Sequence, residues 1–217
     1  MALTLVIGSK NYSSWSLRPW LALTHNNIPF TEIVVPIAAP ETAAQIRKYS
    51  PAGKVPVLLD GDATVWESIA ILAHLGERFP DAKLWPQVHA ARAHARAISC
   101  EMHSGFSALR RDCPMNLKRK KKGALTPEAE ADVQRVTELW RDARQRFGAG
   151  GDFLFGAFSA ADCMYAPVAT RIVSYEIEVD PVSSAYADAI YRLPAFQEWQ
   201  KAGRAETWGH PVTDAIG

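Results

Sequence analysis

A short apolar run, Leu3-Thr4-Leu5-Val6-Ile7, leads within a few residues into a hydroxyl-rich segment, Asn11-Tyr12-Ser13-Ser14-Trp15-Ser16, and then into an amphipathic pattern through Leu23. The run has the length of a buried strand, and the pattern behind it has the period of a helix packed on one face. A strand-to-helix junction this tight commits the start of the chain to an α/β unit. Serines at such a junction suit helix N-caps, because their oxygens accept from amides that the first turn leaves free. The same place gathers unpaired N–H groups and the positive end of the helix dipole, so it favours an anion. A serine there either caps the helix or donates its O–H to an anion held in front of it.

Residues 1–80 continue in β-α-β fashion. Strand signals fall at 3–7, 30–35, 55–59 and 64–66, and helical patterns at 14–26, 41–48 and 67–78. Asp60-Gly61-Asp62 supplies the turn between the last two strands. The expected order is βαβ-α-ββα. Residues 81–88, with Pro80 just before them and Pro86 within them, break the pattern and are expected to be a linker. From 89 to 217 the patterns are almost wholly helical, at 89–111, 127–147, 160–175, 183–192 and 194–202. Ser159-Ala160-Ala161-Asp162 reads as a capping box with Asp at the third helical position, flanked by Phe158 and Cys163 as a hydrophobic staple. That box is a folding signal, not a catalytic one.

Seven tryptophans and 48% hydrophobic residues in 217 give apolar mass for one large domain or two that share an interface. A net charge of +1 offers no general attraction to nucleic acid or acidic membranes. No apolar stretch approaches the ~20 residues that a membrane span needs. The chain enters its first strand without the basic region and apolar segment of a signal peptide. Three widely spaced cysteines, Cys100, Cys113 and Cys163, form no C-x-x-C and are expected to be reduced thiols outside any catalytic site. A cytoplasmic location is expected on these grounds.

A second segment, Ser50-Pro51-Ala52-Gly53-Lys54-Val55-Pro56-Val57-Leu58-Leu59-Asp60-Gly61, is followed by Trp66-Glu67-Ser68-Ile69-Ala70-Ile71-Leu72. With the serine cluster ahead of it, this series resembles the N-terminal, thioredoxin-like domain of the glutathione S-transferases. The serine cluster is most similar to the serine-type theta and zeta classes and their bacterial relatives. Phe158-Ser159-Ala160-Ala161-Asp162-Cys163 extends the resemblance into the second half. It implies a glutathione-binding α/β domain, an all-helical C-terminal domain, a homodimer, and conjugation of the glutathione thiolate to a small electrophile. The alternatives are a non-catalytic glutathione-binding or protein-interaction module on the same fold, and a glutathione-dependent isomerase.

The resemblance also implies site residues. Ser13 aligns with the hydroxyl that holds the thiolate, with Ser14 and Tyr12 as the neighbours that can replace it. Trp15 stands where the zeta class has cysteine. Lowering a thiol pKa of about 8.5 by about 2 units takes about 2.7 kcal/mol. One hydroxyl hydrogen bond to an anion and a helix N-terminus together supply it, so no general base is needed. Val55 is expected to pair its backbone with the cysteinyl residue, ahead of a cis Pro56. Lys54 is expected to meet the glycyl carboxylate, or to be a solvated surface lysine. Glu67 and Ser68 are expected at the γ-glutamyl end, with Glu67 on the ammonium and Ser68 on the carboxylate.

Trp15, Met102, Phe106 and Arg110 are candidates for the electrophile pocket, although helical spacing places Met102 and Phe106 equally well in a core. The basic run Lys118-Arg119-Lys120-Lys121-Lys122 is expected to be a solvated inter-helix loop rather than a nucleic-acid contact. His89, His94 and His103 show no ligand spacing with acids or cysteines, so no metal is expected.

Overall fold

The computed structural model describes residues 2–120, 122 and 124–216. Its sheet is built from β1 (Leu3–Gly8), β2 (Phe30–Val35), β3 (Val57–Asp60) and β4 (Ala63–Trp66), in the order β2-β1-β3-β4. β1 runs parallel to β2, with Leu3 opposite Phe30, and antiparallel to β3, with Val6 opposite Val57. The parallel step needs a crossover helix, and α1 (Ser14–His25) provides it. α2 (Thr42–Ile46) precedes β3, and α3 (Ser68–Arg78) follows β4. β1 is buried on both faces. Leu3, Leu5 and Ile7 join the main apolar cluster, while Val6 packs with Val35, Ile46 and Val57 on the other side. This explains why its sequence reads as a nearly unbroken apolar run.

A 3₁₀ turn at Pro80–Ala82 precedes the helical half: α4 (His89–Ser104), α5 (Ser107–Asp112), α6 (Pro127–Phe147), α7 (Ala160–Ser174), α8 (Pro181–Arg192), α9 (Pro194–Ala205) and α10 (Pro211–Asp214). The single helix expected at 89–111 is two. Gly105 ends α4, and Phe106 then takes the left-handed conformation at φ 60° before α5 begins. Short α10 was not expected from the sequence.

α7 is the axis of the molecule, packed against α1, α4 and α8 and buried along nearly its whole length. Its capping box is formed as expected. The Asp162 carboxylate accepts from the Ser159 amide (2.8 Å), the Ser159 hydroxyl (2.8 Å) and the Leu154 amide (3.1 Å). Burial pushes the Asp162 carboxyl up to about 6, while those donors pull it back. Ala160 donates its N–H to Leu84 O (2.7 Å), which ties the start of α7 to the segment leading into the helical half. α1 faces both halves, with Trp20 edge-on to Trp199 of α9 at 5.1 Å between centroids.

Lys118, Arg119, Lys120 and Lys122 lie in the α5–α6 connection, and Lys121 lies outside the described residues. The start of that run is not simply solvated. The Lys118 amide donates to Asn11 Oδ1 (3.1 Å), its ammonium to Glu206 O, and the Arg119 guanidinium to Ile216 O. These cations hold the C-terminal segment.

Candidate functional site

The turn from β1 to α1 is fixed by backbone and hydroxyl bonds together. Tyr12 and Ser13 both donate N–H to Ser9 O, at 3.1 and 2.8 Å. Ser13 is the N-cap of α1, and its Oγ accepts from the Ser16 amide (3.3 Å). Ser13 Oγ and Ser16 Oγ are hydrogen-bonded at 2.8 Å, and Ser16 Oγ also accepts from the Gly8 amide (3.0 Å). In that pair Ser13 Oγ donates to Ser16 Oγ; the Ser13 proton is freed to point outward only when the pair reverses and Ser16 donates, because a hydroxyl donates once and accepts twice. Ser14 is the first helical residue, and its hydroxyl makes no hydrogen bond among the described residues.

Gly8 lets this turn approach the β3 lead-in. A Cβ there would lie 2.7 Å from Ile37 Cγ2, 3.1 Å from Val55 Cγ2 and 3.2 Å from Ser13 Cβ. Ser13 and Val55 are therefore neighbours across Gly8. The Val55–Pro56 peptide is cis. Val55 makes no backbone–backbone hydrogen bond among the described residues, so its N–H and C=O present an open edge.

In front of this edge lies a cavity of about 400 Å³ lined by Trp15, Ala52, Lys54, Val55, Pro56, Trp66 and Glu67. Five of the residues expected from sequence thus share one hollow: Trp15, Lys54, Val55, Pro56 and Glu67. Glu67 occupies the N-cap position of α3 without a side-chain capping bond, at φ 69°, a positive value that costs an ordinary side chain of order 1–3 kcal/mol. Its carboxylate lies 3.4 Å from His103 Nε2 on α4.

The other expected residues sit elsewhere. Ser68 is fully buried, and its hydroxyl accepts from Arg18 Nη1 (3.2 Å), so only its backbone faces the helix start. Tyr12 turns its phenol toward the C-terminal segment and donates to the Asp214 carboxylate at 2.9 Å. Burial and that carboxylate raise its pKa. Met102 and Phe106 are buried in the main apolar cluster. Arg110 is half-buried, with Nε on Gly105 O (3.0 Å), Nη2 on Met102 O, and its guanidinium 4.7 Å from the Trp15 ring centroid. Arg18 lies 4.2 Å from the same ring, fully buried, and burial with Arg110 and Arg171 nearby pushes its pKa well down.

Sequence reasoning missed the C-terminal supports of the turn. The Glu206 carboxylate accepts from the Lys10 amide (2.6 Å) and the Asn11 amide (3.0 Å), and Asn116 Oδ1 accepts from Asn11 Nδ2 (3.0 Å). These partners lie more than a hundred residues along the chain from the loop they hold, with no local signal to reveal them. Among the described residues no group of His, Cys, Asp and Glu is arranged to hold a metal ion, and no helix is long and apolar enough to cross a membrane.

Residues 12–78 match the family model for the glutathione S-transferase N-terminal domain. The chain is 28% identical over 189 residues to a probable maleylacetoacetate isomerase of Caenorhabditis elegans, covering 85% of this chain and 87% of that one. It is 46% identical over 61 residues to a dichloromethane dehalogenase of Methylorubrum extorquens, 27% of this chain and 21% of that protein. A glutathione transferase homolog from Burkholderia, solved with bound glutathione, shares the fold with a TM-score of 0.70 at 22% identity, covering 95% of this chain and all of that one. A thioredoxin-like α/β domain followed by a helical one is the architecture of these proteins. Residues 12–78 thus match a glutathione S-transferase N-terminal domain, and the chain as a whole shares the fold of a glutathione transferase homolog.

Proposed function

We propose that this protein is a serine-type glutathione transferase that joins the thiolate of glutathione to a small electrophile. The observation that carries the reading is that the open Val55 edge, Lys54 and Glu67 line one cavity, with the Ser13 cap next to Val55 across Gly8. In this reading the Ser13 hydroxyl donates to the thiolate at the positive end of α1. The Val55 backbone pairs with the cysteinyl residue, and Lys54 meets the glycyl carboxylate as a point charge. Glu67 accepts from the γ-glutamyl ammonium, and the Ser68 amide at the start of α3 faces its carboxylate. The sulfur lone pair forms the C–S bond as the leaving group departs with its bonding pair, and the thiol proton passes to solvent. In this reading a glutathione-binding domain spans 1–80, a linker 81–88 and a helical domain 89–217. A homodimer and a cytoplasmic location complete the reading.

A second reading, glutathione-dependent isomerisation, is favoured by the similarity to the probable maleylacetoacetate isomerase. There the thiolate adds to a conjugated C=C bond, the resulting single bond rotates, and elimination returns the thiolate. Assays with chlorodinitrobenzene, isothiocyanates, peroxides and maleyl ketones separate the two. Glutathione binding without turnover of any of them would leave a non-catalytic module.

Glu67→Gln is expected to weaken glutathione binding by about tenfold to a hundredfold, the effect of losing a charge-assisted bond of about 1.5–3 kcal/mol. The φ of 69° is unchanged by this substitution, so the melting temperature should move by only a few degrees. Calorimetric titration beside a thermal melt decides it. Unchanged affinity with a lowered melting point would make Glu67 a structural cap alone.

Replacing all three cysteines by alanine is expected to leave turnover per folded molecule intact. Cys113 and Cys163 are buried, with burial raising the Cys113 thiol to about 11 and the Cys163 thiol well above its usual range, and Cys100 lies on the exposed side of α4. Abolished turnover in a well-folded variant would overturn the serine assignment.

A further inference from the structure

One face of α9 is shaped to the loop that leads into Ser13. Trp199, Gly203 and Glu206 follow one another along it at the spacing of a helical stripe. The Lys10 ammonium lies 5.4 Å from the Trp199 ring centroid. Gly203 is buried, and a Cβ there would lie 3.1 Å from both the Asn11 nitrogen and the Lys10 carbonyl carbon. Glu206, the residue that ends α9, accepts the Lys10 amide on one carboxylate oxygen (2.6 Å) and the Asn11 amide on the other (3.0 Å). The loop thus rests on an aromatic ring, a bare stretch of backbone and a charge.

Consecutive amides turned toward one acceptor make a small anion-binding concavity, and the carboxylate fills it with two charge-assisted bonds. Lys10 and Asn11 are buried, so these amides need a protein partner. The grip reaches Ser13 through the backbone. Ser9 O accepts from the Tyr12 and Ser13 amides, which makes residues 9–13 a single turn. Glu206 holds the middle of that turn, and Ser13 stands at its end. A hydroxyl hydrogen bond weakens steeply when misaligned, so a small rotation of the turn would carry Ser13 Oγ away from a sulfur held over the Val55 edge. Lys54, Val55 and Glu67 line the cavity, and neither Gly203 nor Glu206 does. Holding the tripeptide and ionising its thiol therefore fall to different residues.

We propose that Glu206 is a positioning residue for thiol ionisation: with Gly203 beside it, it sets the angle of the 9–13 turn at which the Ser13 hydroxyl meets the glutathione sulfur. This deepens the glutathione reading, on which it rests. An effect of charge alone would have the opposite sign, because removing a carboxylate eases the ionisation of a nearby thiol and lowers its pKa. Loss of positioning raises it.

The test titrates the thiolate absorbance of glutathione bound to the full chain. Beside it runs calorimetry with S-methylglutathione, which has no thiol to ionise. Glu206→Gln keeps the shape but turns one acceptor oxygen into a donor facing an amide. It is expected to raise the bound thiol pKa by about 0.5–1 unit, which lowers the thiolate fraction below that pKa about threefold to tenfold. Affinity for S-methylglutathione should stay within about twofold. Gly203→Ala favours the helix by propensity yet presses on the Lys10–Asn11 backbone, and should raise the pKa in the same direction. Circular dichroism checks the fold of both, and if one fails to fold the other decides. A thiol pKa that stays put or falls in either folded variant would overturn the inference. So would a parallel loss of S-methylglutathione affinity, the mark of a site that has collapsed as a whole. In the unaltered protein, a bound thiol pKa no lower than that of free glutathione would sink the transferase reading itself, and the inference with it.

Discussion

Ser13→Ala is expected to raise the thiol pKa of bound glutathione by about one to two units, the loss of a hydroxyl hydrogen bond worth about 1.5–3 kcal/mol to an anion at 1.36 kcal/mol per unit. The same substitution also removes the N-cap of α1 and leaves the Ser16 amide without its side-chain acceptor. It should therefore cost about 0.5–2 kcal/mol of stability as well. Ser14→Ala is the matched control, because the Ser14 hydroxyl makes no hydrogen bond among the described residues and caps nothing. Its stability should stay within about 0.5 kcal/mol of the unaltered protein. Thiolate absorbance titrated in the glutathione complex of each variant reads the first effect, and urea unfolding reads the second. A curve that moves with Ser14→Ala and stays put with Ser13→Ala would shift the thiolate contact by one residue. Ser13 would then be a cap and nothing more.

Asp162→Ala should be the more damaging change to the fold, destabilising by about 3–5 kcal/mol as three buried donors lose their acceptor at about 1–3 kcal/mol each. The donors are the Ser159 amide, the Ser159 hydroxyl and the Leu154 amide. They sit where the segment that passes Leu84 meets the most buried helix, so no water is at hand to replace the carboxylate. Asp162→Asn keeps the volume but turns one acceptor oxygen into a donor, and should recover only part of the loss. Urea unfolding with an unchanged slope and a shifted midpoint would identify a pure stability effect. A loss under about 1 kcal/mol in Asp162→Ala would show that the box is dispensable.

How much of this molecule could be read from its letters depends on the range of the interaction involved. β1 and α1 were legible because an apolar run and a 3.6-residue period are local patterns, and the box at Ser159–Asp162 because N-cap chemistry spans only three residues. The break between α4 and α5 was not legible. Gly105 alone is a weak signal, and the φ of 60° at Phe106, where Arg110 bonds back to the Gly105 carbonyl, has no local mark in the sequence. Serine at 68 invited a ligand role by its position at a helix start. Its side chain was claimed instead by Arg18, fifty residues earlier in the chain.

The sequence by itself determined the two-part architecture and the strand-to-helix junction at Ser13, because each is encoded by neighbours along the chain, whereas Lys54, Val55, Pro56 and Glu67 were singled out by resemblance and share one cavity in the structure. The tertiary structure alone decided which hydroxyl is bonded and which is not, that Glu206 and Asp214 return from the far end to hold Lys10, Asn11 and Tyr12, and that Arg18, Arg110 and His103 converge on Trp15. Those outcomes depend on packing between α1, α4, α5 and the C-terminal segment. No local pattern carries them, since hydrogen bonds and cation–π contacts between distant residues are set by where the whole core places the backbone.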